Sequence, residues 1–238
     1  MPLDPISYDE AMNSEDSLQW QEAIEQEYSS LMQQNVWELC PLPSERKPVG
    51  CKWVFKRKFN SEGEVCRFKA RLVAKGYSQK EDIDYHEVFS PVVHINSLRF
   101  VLAIAVHNGW EIQQMDVDTA FLNAALDEDI YMEQPQGFEK VGENGTQLVC
   151  KLIKSLYGLK QSPRNWSSTL SQWLAEHGFT QAKSDAGVFV STTSHGTYIL
   201  VVYVDDIMIV GPSIDWICNF KVMNQQKFSI KDSGQAEW

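Results

Sequence analysis

Two adjacent acids, Asp205 and Asp206, divide an otherwise apolar stretch into the runs Tyr198–Val204 and Ile207–Val210. Both runs are rich in β-branched residues, and Ser194-His195-Gly196 supplies a turn before the first. Thr197–Val204 and Ile207–Val210 therefore read as strands, with Gly187–Ser191 as a third. The result is a hairpin with carboxylates at its tip. Ionised carboxylates ending a buried strand repel each other and lose hydration, so the placement is costly unless something compensates. Divalent cations would do so; a plain exposed turn, where Asp is common, would also account for the pair. A second strand, Trp110–Val117, ends in Met115-Asp116-Val117-Asp118 and strengthens the metal reading. Spacing alone leaves both readings open.

The chain has 238 residues, enough for one large domain or two small ones. Its 43% hydrophobic and 22% charged content excludes wholesale disorder and collagen-like repeats. The longest apolar runs, Phe100–Val106 and Tyr198–Val204, fall far short of the ~20 residues of a membrane span, so no membrane partner is expected. The opening residues lack the basic start and apolar stretch of a secretory signal. Cys40, Cys51, Cys66, Cys150 and Cys218 form no C-x-x-C pair and read as reduced thiols of an intracellular chain, cytoplasmic or nuclear. The histidines show no zinc-ligand spacing.

Net charge is −11, which taken alone argues against a polyanionic partner. The distribution reverses that inference. Residues 1–45 hold ten acids and no Lys or Arg, whereas Arg46–Lys80 carries +9, leaving −20 for the rest. Within this block Lys52–Phe59 and Glu64–Ala74 flank the turn Asn60-Ser61-Glu62-Gly63 and predict a hairpin. Period-two alternation puts Arg67, Lys69 and Arg71 on one side, with Lys56 and Lys58 sharing a side of the first strand. Such a face suits a triphosphate or a nucleic-acid backbone; a solvated charged hairpin is the alternative.

Three helices are expected. Trp20, Ile24, Tyr28, Leu31 and Met32 recur at helical spacing from Leu18 to Gln34 and predict a packing helix. Ser97–His107 is apolar all round and reads as a buried helix stopped by Asn108-Gly109. Pro163 opens a helix with Trp166, Leu170, Trp173, Leu174 and His177 on one face, stopped by Gly178.

Tyr203-Val204-Asp205-Asp206 resembles the Y-x-D-D box of reverse transcriptases. The wider pattern is more specific: Lys52-Trp53-Val54-Phe55-Lys56, Lys69-Ala70-Arg71-Leu72-Val73-Ala74-Lys75-Gly76, Phe89-Ser90-Pro91-Val92-Val93, Met115-Asp116-Val117 with Ala120-Phe121-Leu122, and Ser155 to Arg164. In this order the blocks resemble the reverse transcriptase of copia-type long-terminal-repeat retrotransposons, from about Trp20 to the last residue. The resemblance implies an α+β polymerase fingers-palm fragment, an antiparallel palm sheet packed on helices. Residues 1–95 would be mostly fingers and 96–238 mostly palm, with 130–163 returning to the fingers. The implied activity is RNA-directed DNA polymerisation on an RNA or DNA template with a primer, using dNTPs and two Mg²⁺ or Mn²⁺ ions.

Carried onto this chain, the resemblance makes Asp116 and Asp205 metal-binding catalytic carboxylates with Asp206 supporting them. Phe121 would be an aromatic gate under the incoming sugar, although the residue by itself reads as a core aromatic. Lys56, Lys69 and Arg71 would sit in the fingers hairpin. Tyr157, Gly158, Lys160 and Gln161 would line the nucleotide and template, and Tyr203 would adjoin the substrate. Three departures stand out: Asp118 replaces the usual Asn or Lys, Asp82 the usual Gly, and Asn123-Ala124 the common Asn-Gly. The chain stops where the family continues into a primer grip, thumb and ribonuclease H. Two rivals remain at this stage. A catalytically silent retroelement remnant would at most bind nucleic acid; a metal-dependent phosphohydrolase would explain the acids but neither the basic hairpin nor the block order.

Overall fold

The computed structural model describes residues 3–235. In chain order it comprises α1 (Tyr8–Met12), α2 (Ser17–Gln33), β1 (Trp37–Pro41), β2 (Cys51–Phe59), β3 (Val65–Ala74), α3 (Ile95–Asn108), β4 (Glu111–Val117), β5 (Ala125–Met132), β6 (Leu148–Lys154), α4 (Ser162–Glu176), β7 (Thr180–Gln181), β8 (Val188–Thr193), β9 (Gly196–Tyr203), β10 (Asp206–Gly211), α5 (Ile214–Lys227) and β11 (Ile230–Gln235). This is an α+β chain whose strand ladders are antiparallel. It divides into two compact units. One holds the residues up to Val88 with Ala125–Ser162; the other holds Phe89–Ala124 with the chain from Pro163 onward.

In the first unit, the α2 stripe buries Trp20, Ile24 and Leu31 and leaves Met32 exposed. Trp20 meets Phe55 and Phe68 edge-on, with ring centroids 5.2 and 4.7 Å apart, so α2 covers the inner face of the β2–β3 hairpin. Asn60 shapes the hairpin turn by accepting from the Glu62 and Glu64 N–H groups. Alternation along β2 sends Trp53, Phe55 and Arg57 inward. Arg57 is the base that departs from the charged-face reading: it is 5% exposed, lies over Trp20 and donates to Asp16 Oδ2 at 2.7 Å and the Leu3 carbonyl at 2.7 Å. Its charge is consumed inside the fold.

The unit also contains the sheet β1-β6-β5. The loop after β6 docks backbone to backbone on the end of β3, where the Ala74 N–H donates to the Tyr157 carbonyl at 2.8 Å. Gly158 has φ +93°, and a Cβ there would overlap the Ala74 carbonyl oxygen. Only glycine meets both demands. Asp82 also adopts a left-handed conformation, φ 63°, a region that glycine enters without strain.

The second unit is built on one sheet of order β11-β4-β10-β9-β8-β7. Trp166, Leu170, Trp173 and Leu174 of α4 are buried, and Trp166 and Trp173 both meet Phe228 edge-on. Trp216 of α5 stacks on Tyr198 of β9 at 3.7 Å. The expectation that α3 is a buried helix is corrected. Val101 and Ala105 are buried, but Ile95, Phe100 and Val106 are 59%, 67% and 74% exposed. The helix borders an apolar groove of about 750 Å³ between its Leu98 and Leu102 and the sheet residues Ile112, Val201 and Ile207, so only one stripe meets the core. Gly109 ends α3 in the left-handed conformation, as its position predicts. Among the described residues no helix is long and apolar enough to cross a membrane.

Gly158→Ala should cost about 2 kcal/mol or more, because a left-handed backbone and a carbonyl clash add. Gly63→Ala, at φ +82° with open space around it, should cost only about 1 kcal/mol. Urea denaturation of the two variants checks the difference.

Candidate active site

The sheet register of the second unit brings the predicted acids together. On β4 and β10, Asp116 lies directly opposite Asp206, and Asp206 lies opposite Tyr203 on β9. On the other side of β4, Asp116 lies opposite Lys231 of β11. Directly opposed residues share a face of an antiparallel sheet. Lys231, Asp116, Asp206 and Tyr203 therefore form one row across four strands. Asp205 joins the row from the β9–β10 turn, its carbonyl accepting from the Val117 N–H at 2.9 Å.

The turn itself differs from the expected two-acid tip. Its central residues are Val204 and Asp205, while Asp206 is already the first residue of β10. Two-residue hairpin turns need a positive φ at their first central position, and Val204 takes φ 57°. A β-branched residue is strained there. Trp166 holds the strained turn, its indole N–H donating to the Val204 carbonyl at 2.7 Å. Residue patterning marked Trp166 only as core; its second role required the fold.

Asp116 is half-buried and its carboxyl is pushed above the ordinary carboxylate value. Burial is the largest cause, followed by the negative charges of Asp205, Asp206 and Asp118; Lys231 acts in the opposite direction. These oxygen donors fit a hard divalent cation, which would relieve the repulsion. Among the described residues no three His, Cys, Asp or Glu side chains converge into a ready-made cage. Gln114 adds an amide donor 3.5 Å from Asp206 Oδ1. Sequence reasoning missed both Lys231 and Gln114, because only the register reveals them. Phe121 is 9% exposed in the single turn Ala120–Asn123 that follows β4.

In the first unit, Lys56 lies opposite Lys69 and Lys58 opposite Arg67 on the outer face of the β2–β3 hairpin. Like charges directly opposed destabilise a hairpin, so this face stores electrostatic cost that an anion would remove. Lys56 is offset by Asp4 at 3.3 Å. The Lys69 ammonium is held below its ordinary value by burial first and then by Arg71 and Arg67, with Glu27 opposing. The Arg71 guanidinium lies 4.9 Å over the Tyr157 ring, which brings two sequence-predicted residues together. Lys160 and Gln161 instead face the interior of the unit. The Lys160 ammonium donates to the Tyr85 hydroxyl at 3.0 Å. Buried Gln161 donates to the Asp84 carbonyl at 2.7 Å and accepts from Gln79 at 3.0 Å.

Residues 34–238 match the family described as reverse transcriptase (RNA-dependent DNA polymerase). The chain belongs to that family. It is 41% identical over 98% of its length to the retrovirus-related Pol polyprotein from transposon TNT 1-94 of Nicotiana tabacum, of which the match covers 18%. It is 42% identical over 92% of its length to the corresponding polyprotein from transposon RE1 of Arabidopsis thaliana, covering 15% of that protein. The chain thus spans less than a fifth of these relatives, which are Pol polyproteins of copia-type transposons.

Removing part of the basic face should report on its use. If the face takes a polyanion, Lys69→Ala and Arg71→Ala each weaken binding of a nucleic-acid duplex probe and lower the slope of log affinity against log salt by about 0.7–0.9 per lost phosphate contact. Fluorescence anisotropy across a salt series measures both, and unchanged affinity and slope would mean that the face is merely solvated.

Proposed function

We propose that this chain forms the fingers and palm of an RNA-directed DNA polymerase, which joins dNTPs to a primer 3′-hydroxyl. The unit with the β2–β3 hairpin corresponds to the fingers, and the six-stranded unit to the palm. The observation that carries this reading is the direct opposition of Asp116 and Asp206 on paired strands, with Asp205 in the strained turn beside them. A sheet opposes two carboxylates only at a cost that a functional cation would offset.

Asp116 and Asp205 would hold two Mg²⁺ or Mn²⁺ ions, with Asp206 contributing charge. When bound, such ions neutralise charge at the primer 3′-hydroxyl, the α-phosphate and the departing pyrophosphate. The chain's own residues orient and select. Tyr203, in the same row, presents an exposed ring edge beside the carboxylates. Lys56, Lys69 and Arg71 offer cations to the phosphates of nucleotide or template, and Tyr157 with Gly158 supports Arg71 from below. Lys160 and Gln161 support that loop through Gln79, Tyr85 and Asp84. Phe121, in the turn five residues after Asp116, would stand where a ribose 2′-hydroxyl clashes, so that selection works by excluding the wrong sugar.

Titration with Mn²⁺, followed by electron paramagnetic resonance, tests the carboxylates. The wild type should bind, and Asp116→Asn/Asp205→Asn should lose roughly tenfold or more in affinity, since ligand charge sets affinity at such sites. Equal binding would leave the catalytically silent, nucleic-acid-binding reading in place.

Phe121→Val separates gate from core. In a form of the chain extended so that it polymerises, a gate predicts more ribonucleotide incorporation with deoxynucleotide use largely kept. Loss of a core ring predicts about 2–3 kcal/mol of destabilisation and a parallel fall in both. Primer extension with each nucleotide class reads the difference.

A further inference from the structure

β11 is the edge strand beside the carboxylate-bearing β4, and little in its own sequence ties it down. Ile230-Lys231-Asp232-Ser233-Gly234-Gln235 has a single large apolar side chain, half-buried Ile230. Its pairing with β4 shifts register at an irregularity between Asp232 and Gly234. Short polar edge strands specify register weakly, and a slip of one residue moves every side chain to the opposite face. A slip here would turn Lys231 away from Asp116.

One buried interaction opposes the slip. Lys221 of α5 is 3% exposed, and its ammonium donates to Gln113 Oε1 of β4 at 2.8 Å and to Asp232 Oδ1 of β11 at 2.5 Å. Asp232 also accepts from the Gly234 N–H at 2.8 Å, which closes the irregularity around the same carboxylate. A buried ammonium is expensive unless its partners are fixed, so it demands Asp232 on the α5 side of the sheet. Alternation then directs the preceding residue, Lys231, to the other side, opposite Asp116.

We propose that Lys221 is a positioning residue for the carboxylate row: through Asp232 and Gln113 it pins the register of β11, and so keeps Lys231 opposite Asp116 on β4. This rests on the polymerase reading for its use and on the fold alone for its geometry. Lys231 supplies a positive charge that lessens the repulsion around Asp116 and competes with an incoming cation. Lys221 touches neither metal nor substrate. It acts through Lys231.

The test has two arms. Lysines are reductively methylated with ¹³C, and the Lys231 signal, assigned by its loss in Lys231→Met, is followed by nuclear magnetic resonance. Asp116→Asn should shift that signal in the wild-type background and leave it unmoved in Lys221→Met. Persistence of the shift in folded Lys221→Met would overturn the pin. Asp232→Ala breaks the same pin from the strand and serves if Lys221→Met does not fold. In the second arm, Lys231→Met should tighten Mn²⁺ binding by roughly three- to tenfold, because a like charge has been removed. Lys221→Met should reproduce that change, and the double variant should add nothing further. Multiplicative effects, or an unaltered Mn²⁺ affinity in Lys221→Met, would show that Lys221 merely stabilises the fold and would overturn its positioning role. A wild type that binds no Mn²⁺ would sink the metal reading of the carboxylates, while the first arm would still decide the pin.

Discussion

The opposition of Asp116 and Asp206 across β4 and β10 is the constraint to which the rest of the second unit answers. Two carboxylates facing each other on paired strands destabilise the sheet that holds them, and Asp205 and Asp118 add to the field that raises Asp116. The surrounding structure holds the arrangement in place regardless. Trp166 grips the Val204 carbonyl so that the turn keeps a backbone conformation valine resists. Stacked aromatic rings around Trp216, Phe220 and Tyr198 anchor α5 on the sheet behind the row. The stability of the packed side is what allows strain to persist on the polar side.

The first unit follows the same logic with the opposite sign. Its outer hairpin face opposes Lys56 to Lys69 and Lys58 to Arg67, while its inner face is closed by Trp20, Phe55 and Phe68. Arg57 shows how sharply alternation sorts the charges. One position away from exposed Lys56 and Lys58, it is buried between aromatic rings, and its two terminal nitrogens bind Asp16 and the Leu3 carbonyl. Gly158 allows the loop carrying Tyr157 to approach β3 at backbone distance, and thereby places an aromatic ring under Arg71. A chain of net charge −11 thus presents one concentrated cationic face without being basic overall.

Much of this organisation was legible in residue order. Hydrophobic periodicity located α2 and α4, alternation located the β2–β3 hairpin and its two faces, and the acids at the ends of two apolar strands marked the carboxylate site. The misreadings have physical reasons. α3 is apolar enough to be buried on every side, yet a helix is buried only where neighbours cover it, and here a groove lies along one flank. The acids at 205 and 206 read as a pair at the hairpin tip, but a two-residue turn takes one of them and the strand takes the other. Gln161, grouped with the substrate residues by its motif, is buried and committed to Gln79 and Asp84.

By itself the sequence determined the helices α2, α3 and α4, the strands β2–β4 and β8–β10, which face of the hairpin is cationic, and which acids could meet, because these follow from periodicities of a few residues. Only the tertiary structure decided that Asp116 faces Asp206 on one side and Lys231 on the other, since register between strands about ninety and one hundred and fifteen residues from β4 is set by packing. It alone decided that Lys221, in a segment the sequence did not mark as a helix, is buried against Gln113 and Asp232. Local chemistry chooses the elements, and long-range burial and pairing choose the neighbours that make them a site.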